Sequence, residues 1–183
     1  MSGGAHVDPS NKKIALQIAI LAVVLAFSET LGKGAQTDAL SYNIEASNMW
    51  SFFQAKTQRQ TTMRTAAESL EAQFGDKASD AVKKQIDAWK KTAARYQSEP
   101  ETNEGRKELA ARAKTAEAKR DHSLAAYHHY EVASAAVQIG IVLASAEVIT
   151  GVIALGWASA GLGVAAVGFC VIGFFWPTAV HLF

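Results

Sequence analysis

Residues 132–176 decide the fold. They read VASAAVQIGIVLASAEVITGVIALGWASAGLGVAAVGFCVIGFFW, and Glu147 is the only charged residue among them. A membrane helix needs about 20 apolar residues to cross roughly 30 Å of hydrocarbon, so this run predicts two crossings joined by a tight turn. Glycine and serine cluster at 156–161, which favours the turn there, with Trp157 at the level of the lipid head groups. The expected segments are a helix at 132–155, a turn at 156–161, a helix at 162–178 and a tail at 179–183.

A second apolar run, IALQIAILAVVLAFSETL, lies near the N terminus at residues 14–31. Its length is near the lower limit for a crossing, and it predicts a first transmembrane helix at 14–33 behind a tail at 1–13. A cleaved signal peptide is the alternative, because two preceding lysines and small residues at Ala26 and Ser28 also fit that pattern. An ordered stripe of alanines within the run favours a retained helix.

Charged residues are concentrated between these apolar ends. Of the 18 lysines and arginines, 16 lie from Lys33 to Arg120, and only three of the 17 acids lie outside the stretch from Asp38 to Glu131. A soluble core would interleave polar and apolar residues, so the segregation predicts an all-α integral membrane protein with a helical, coiled-coil-like extramembrane domain at 34–131. The net charge of +1 gives no reason to expect nucleic acid as a partner.

Glycine and proline divide the extramembrane region into three predicted helices. Gly75-Asp76 favours a helix end, and the polar segment SEPETNEG at 98–105 favours a turn. The apolar stripes of these helices are thin, so each helix needs a partner in this chain or in another copy. The chain must return to the membrane surface that it left. Three helices of similar length that run outward, back and outward again would end away from that surface. Either one is broken or lies laterally, or the first two run outward together; a break is expected near Gln60-Thr61-Thr62.

Three crossings place the termini on opposite sides of the membrane, with the extramembrane domain on the side of the C terminus. Lys12 and Lys13 precede the first span, which favours an N terminus in the cytoplasm.

Each predicted span has a face of small residues, and such faces allow close approach of helix backbones. We therefore expect the spans to pack through these faces. The first span contributes Ala15, Ala19, Ala22 and Ala26, the second Ala133, Ala136, Gly140, Ala144, Gly151 and Ala154, and the third Ala158, Gly161, Ala165 and Gly168.

Two acids, Glu29 and Glu147, lie on these faces, so both carboxylates are expected inside the helix interface. Ionisable groups at membrane depth are costly and often mark a proton or ion site. The structural alternatives are an interfacial Glu29 that reaches water beside Lys33 and a protonated Glu147 that donates a hydrogen bond. We expect Glu147 beyond the midpoint of its span, so the two acids should not touch within one chain.

Other patterns give no indication of catalysis. His122, His128 and His129 lie close together, but two-histidine metal sites on a helix favour spacings of three or four, so an aromatic, pH-sensitive collar at the membrane surface is expected instead. The single cysteine, Cys170, excludes an intrachain disulfide. The sequence therefore predicts no enzyme, no cofactor and no metal.

The segment NMWSFFQAKTQR at 48–59 follows the first span and precedes the helical middle and the C-terminal pair of spans. This run and this layout resemble the bacterial family called domain of unknown function 4337. The resemblance implies a bacterial membrane protein without an assigned activity. Within the run, the aromatic residues are expected to pack against the third helical stretch. The functional alternative is a docking surface for a second protein or copy, formed by Asn48, Trp50, Phe53, Gln54 and Lys56.

These patterns together predict a non-enzymatic scaffold or accessory subunit of the bacterial inner membrane. Its partners are expected to be the lipid bilayer and either a second copy or another membrane protein. A small proton- or cation-conducting protein that uses Glu147 is the alternative.

Overall fold

Long helices make up almost all of the chain. The computed structural model describes residues 9–180, and the helices in this range are α1 (Pro9–Phe74), α2 (Asp80–Gln97), α3 (Arg106–Thr150) and α4 (Ile153–Phe175). The same range holds one 3-10 turn, Gly75–Lys77, and no strand, so the all-α prediction is confirmed. Helices α1, α3 and α4 each contain a stretch that is long and apolar enough to cross a membrane.

Contacts divide the chain into two units. Among the described residues, the apolar unit comprises residues 9–40 and 121–180, and the polar unit comprises residues 41–120. The apolar unit therefore contains the start of α1, the end of α3 and all of α4. The polar unit contains the rest of α1, all of α2 and the start of α3.

The apolar unit is centred on Leu21 of α1. This side chain belongs to a buried cluster with Ala133, Val137 and Ala166. Two glycines make room for it: a Cβ added to Gly140 of α3 would lie 3.5 Å from its Cδ1, and one added to Gly163 of α4 would lie 2.7 Å from its Cδ2. The leucine thus fills a notch that two neighbouring helices provide.

The predicted packing face of α1 is therefore wrong. Its small residues lie on the exposed side of the helix, and the packed side carries larger residues instead. Since α3 and α4 supply the small residues at this junction, α1 must supply the bulky side chain that fills it. The exposed residues are Ala15, Ala19, Ala22 and Ala26, and those facing the other helices are Ile14, Gln17, Leu21, Val24 and Ser28.

The predicted faces of the other two spans are right only in part. In the predicted second span, Gly140 and Ala144 are buried as expected, whereas Gly151, in the turn after α3, and Ala154, in α4, are exposed. In α4 the packed face is a different set of small residues from the expected one. The buried set is Gly156, Ser159, Gly163, Ala166 and Gly173, and the exposed set is Ala158, Gly161, Ala165 and Gly168.

The turn between the last two spans lies earlier than predicted. Helix α3 ends at Thr150, Gly151 has a φ of 70°, and α4 begins at Ile153. A positive φ is the left-handed conformation in which glycine commonly ends helices. The cluster at 156–161 is helical instead, and the predicted boundaries 132–155 and 162–178 are corrected accordingly. Gly156 serves close packing, which is the usual role of glycine in membrane helices.

In the polar unit, α3 and α2 follow one another along α1, and both run antiparallel to it. Trp50 of α1 contacts Glu117 of α3, whereas Gln60 further along contacts Ala93 of α2 and Glu71 pairs with Lys90. Within the polar unit the chain thus runs outward in α1 alone and returns in two successive helices, α2 and then α3. Neither alternative given in the sequence analysis included this arrangement.

The expected break at Gln60-Thr61-Thr62 is absent, because α1 continues to Phe74. Gln60 is buried against α2, and Thr62 donates its hydroxyl hydrogen to the carbonyl oxygen of Gln58 at 3.0 Å. The weak helix propensity of threonine costs only about 0.5 kcal/mol per residue, too little to break a packed helix. The predicted end at Gly75, which has a φ of 45°, and the predicted turn at 98–105 are confirmed.

Replacing Gly173 with alanine should destabilise the fold, whereas the same change at Gly168 should not. A Cβ at Gly173 would lie 2.9 Å from Cβ of His129, while a Cβ at Gly168 would meet no atom within 4 Å. Overpacking of this kind costs about 1–3 kcal/mol. Thermal unfolding of the detergent-solubilised variants, followed by circular dichroism, measures the difference. Equal melting temperatures would contradict the assignment of the buried face of α4.

Candidate functional site

The 48–59 segment forms the packed middle of the polar unit. Lys56 is only 6% exposed. Its ammonium group lies 3.5 Å from a carboxylate oxygen of Glu99 and 3.9 Å from one of Glu104. It also lies 5.4 Å from the ring centroid of Phe52 and 5.3 Å from that of Tyr96, within the range of cation–π attraction. The buried charge is therefore compensated from several sides.

A second set of polar contacts lies beside it, around Arg106 at the start of α3. The guanidinium lies 4.9 Å from the ring centroid of Phe53 and donates hydrogen bonds to the side-chain oxygens of Gln60 and Gln97. The Gln60 amide in turn donates to the carbonyl oxygen of Ala93 at 3.1 Å. This network ties α1, α2 and α3 together at one level.

The predicted docking surface is thereby corrected. Trp50 and Phe53 are half-buried and Lys56 is buried, and the indole nitrogen of Trp50 donates to a carboxylate oxygen of Glu117 at 2.8 Å. Among the five predicted residues, only Asn48 and Gln54 are exposed. The aromatic run packs against α3 and α2, in agreement with the structural interpretation rather than with the docking alternative.

The first turn of α3 is hydrogen-bonded to the residues that follow α2. Glu108 lies in the first turn, where its carboxylate accepts a hydrogen bond from the Ser98 hydroxyl at 2.6 Å and from the backbone N–H of Glu99 at 3.2 Å. The Ser98 hydrogen bond is the main cause that lowers the pKa of the Glu108 carboxyl. These two hydrogen bonds connect the end of α2 directly to the start of α3.

Glu29 lies in a cleft of the apolar unit between α1 and α3. The cleft has a volume of about 410 Å³, and Lys33, Tyr127, Glu131 and Gln138 are among the residues that line it. Glu29 itself is exposed, so its expected place inside the helix interface is wrong. Lys33 lines the same cleft, and the interfacial position of Glu29 beside it stays a prediction.

Glu147 lies at the other end of the apolar unit, in the last turn of α3, which ends at Thr150. Its carboxyl group packs on the backbone of α4: a Cβ added to Gly156 would lie 2.7 Å from its Cδ. A cavity of about 470 Å³ at this place is lined by Lys13, Gln17, Glu147 and Trp157, among others. The sequence analysis did not identify Lys13 as a neighbour of Glu147. The two residues are far apart in the sequence, and only the packing of α1 against α3 brings them to one cavity.

The two acids line separate cavities, and the buried apolar cluster around Leu21, Val137 and Ala166 lies between their levels. A proton or cation path needs a succession of polar groups through the span. The packing of the described residues places hydrocarbon side chains there instead. The arrangement favours two surface sites over a pathway through the bundle.

The histidines do not form one cluster. His122 is exposed, and Nδ1 of His128 lies 3.7 Å from a carboxylate oxygen of Glu131. His129 is 1% exposed; its ring lies 6.2 Å from that of Phe169, and its Nε2 is 3.1 Å from the carbonyl oxygen of Pro177. Across residues 9–180, no group of three or more potential ligands could hold a metal ion. His129 thus fixes the end of α4 rather than contributing to a surface collar.

These features define the class: an all-α protein with three helices suited to membrane crossing and a polar helical unit stabilised by its own buried charges. The family model described as domain of unknown function (DUF4337) matches residues 10–176, and the chain therefore belongs to this family. Comparison with curated proteins and with solved structures gives no match.

Replacing Trp50 with phenylalanine should destabilise the polar unit by about 1–2 kcal/mol, because the hydrogen bond to the Glu117 carboxylate is lost while the aromatic ring is kept. Gln54→Ala is the matched control in the same run, since Gln54 is exposed and should change stability by less than about 0.5 kcal/mol. Chemical unfolding followed by circular dichroism measures both. A larger effect at Gln54 than at Trp50 would contradict the packing role.

Acidification should remove the contribution of Glu108 to stability. Since the pKa of this carboxyl is lowered in the folded chain, its contribution is present above the pKa of the unfolded state and is lost as the pH falls through the folded value. Wild type should therefore be more stable than Glu108→Gln at pH 7, and the difference should shrink as the pH falls from about 5 to 3. Unfolding midpoints of both proteins across this range test the prediction; a difference independent of pH would refute it.

Proposed function

We propose that this chain is a non-enzymatic, multi-pass protein of the bacterial inner membrane that associates with further copies of itself through the outward face of α4. In this proposal α1, α3 and α4 cross the bilayer, and the polar unit serves as a helical module that a second copy or another membrane protein can bind. Lys12 and Lys13 before the first crossing support an N terminus in the cytoplasm.

The outer surface of the apolar unit supports the membrane placement. Phe27 of α1, Val142 of α3 and Val164 of α4 are 65%, 66% and 76% exposed. Exposed apolar area costs about 25 cal/mol per Å² in water, and large patches of it usually mark contact with a membrane or a partner. A lipid surrounding removes this cost for all three helices.

The outward face of α4 is the observation that carries the self-association proposal. Gly161 and Ala165 are four residues apart on this face and both are exposed, with Ala158 and Gly168 beside them. A Cβ added to Gly161 or Gly168 would meet nothing within 4 Å. Small residues at a spacing of four allow the backbones of two membrane helices to approach closely, which is the usual basis of helix pairing in lipid. The alanine face of α1, exposed as well, offers a second surface of the same kind.

The polar unit supports a structural role. Its buried or half-buried polar side chains, Lys56, Gln60 and Arg106, bond to partners within the unit. Groups held in this way fix the relative positions of helices. They are engaged in packing, so a scaffold accounts for them without requiring a substrate.

Cysteine cross-linking in native membranes tests the proposal. On a Cys170→Ala background, Ala165→Cys should give a covalent dimer under mild oxidation, because a disulfide requires Cα atoms within about 7 Å. Val167→Cys is the matched control: it is also exposed and close in sequence, but it points about 160° away from Ala165 around the helix.

Comparable dimer yields at both positions would indicate random collision and would contradict pairing through this face. A complete lack of dimer at Gly161→Cys, Ala165→Cys and Gly168→Cys would contradict it as well. Expression of each variant in the membrane fraction is checked by immunoblot before oxidation.

A further inference from the structure

The cavity beside Glu147 combines both signs of charge in a fixed frame. The side chains of Lys13 and Glu147 line it, and neither side chain has a hydrogen bond or ion pair with another residue in the range 11–180. Gln17 fixes one wall, since its amide donates to the carbonyl oxygen of Gly156 at 3.1 Å and to the hydroxyl oxygen of Ser159 at 2.9 Å. The cavity therefore offers an ammonium and a carboxylate whose best partner carries one anionic and one cationic group.

An apolar groove between α1 and α4 leads away from this cavity. Its first part, about 490 Å³, shares Lys13, Gln17 and Ala160 with the charged cavity. Its second part, about 310 Å³, shares Val24 and Val167 with the first and extends to Leu31. From Leu16 to Leu31 the groove is roughly 22 Å long at the helical rise of 1.5 Å per residue. One leaflet of hydrocarbon is about 15 Å thick, so the groove can hold an acyl chain along its full depth.

The two features have the layout of a single phospholipid. Trp157, 76% exposed at the rim of the cavity, is the residue type that lies at the level of the head groups. A phosphate beside Lys13 and a primary ammonium beside Glu147 would satisfy both charges. A quaternary ammonium lacks the N–H groups that the carboxylate can accept, and an anionic glycerol head group lacks the cation.

We propose that this cavity and groove bind one phospholipid of the phosphatidylethanolamine class, with its head group between Lys13 and Glu147 and one acyl chain between α1 and α4. The inference rests on the membrane placement given under the proposed function, and it is independent of self-association.

Native mass spectrometry of the full-length protein in detergent tests this binding. The probes are dioleoyl phosphatidylethanolamine, dioleoyl phosphatidylglycerol and dioleoyl phosphatidylcholine, which share their acyl chains and differ only in the head group. The wild type should retain the ethanolamine lipid about tenfold better than the other two, as expected for one charge-assisted hydrogen-bonded pair.

Matched variants assign the preference to the cavity. Glu147→Gln should abolish the preference for the ethanolamine lipid, whereas Glu29→Gln, which alters the cleft at the other end, should retain it. Lys13→Ala should weaken the binding of all three lipids by about fivefold to tenfold, because each of them carries a phosphate, whereas Lys12→Ala, an exposed neighbour, should not. Ala160→Leu places bulk where cavity and groove join and should reduce the binding of all three lipids. Circular dichroism confirms the helical content of every variant.

Equal retention of the three lipids by the wild type would overturn the inference, as would a preference that survives Glu147→Gln. Extraction of membranes with alkaline carbonate separates this outcome from a failure of the proposed function. A protein that is released by carbonate refutes the membrane placement. A protein that stays in the membrane but shows no head-group preference refutes only the lipid site.

Discussion

Helix α1 imposes the constraint on which the rest of the structure depends. It is an unbroken helix of 66 residues, about 100 Å long at the helical rise. A helix cannot bury its own face, so a partner must follow it along its length. In the polar unit α3 and then α2 provide this partner. In the apolar unit α3 and α4 do so, and Leu21 is the side chain around which they close. The order of the remaining elements follows from this requirement.

Charge determines the position along α1 at which its partner changes from α3 to α2. The connection between α2 and α3 carries Glu99 and Glu104, and both carboxylates reach Lys56, which is buried on α1. A shift of the connection along α1 would move both carboxylates away from Lys56 and leave the lysine charge uncompensated. Loss of a partner from a buried ion pair costs several kcal/mol, so such a shift is unfavourable. The connection is thereby held opposite one residue. Stripes of alanine alone would allow α2 and α3 to pack at many positions along α1, since every alanine offers the same small contact.

The sequence predicts the elements well and their contact faces poorly. Hydropathy and the segregation of charge are properties of long segments, which is why the three apolar helices, the end at Gly75 and the turn at 98–105 could be read. A contact face depends on which helices become neighbours. Both sides of α1 and of α4 are apolar, and a stripe such as Ala19-Ala22-Ala26 looks like a packing face when α1 is considered alone. The packed face of α1 is determined by Leu21, and the fit of this side chain to Gly140 and Gly163 can be recognised only when all three helices are in place. The turn was misplaced for the same reason, because the glycines at 156–161 could serve either a turn or close packing.

The glycines of α4 have two different surroundings within the chain. Glycine within a helix costs up to about 1 kcal/mol relative to alanine. At Gly163 and Gly173 that cost is offset, because a Cβ would come within 3 Å of Leu21 or His129 and the close approach of helices would be lost. At Gly161 and Gly168 the chain itself offers no such compensation, since an added Cβ would meet open space. Alanine would serve a purely lipid-facing position better. A second helix that approaches α4 from outside, as proposed above, would give the outer glycines the role that α1 and α3 give the inner ones.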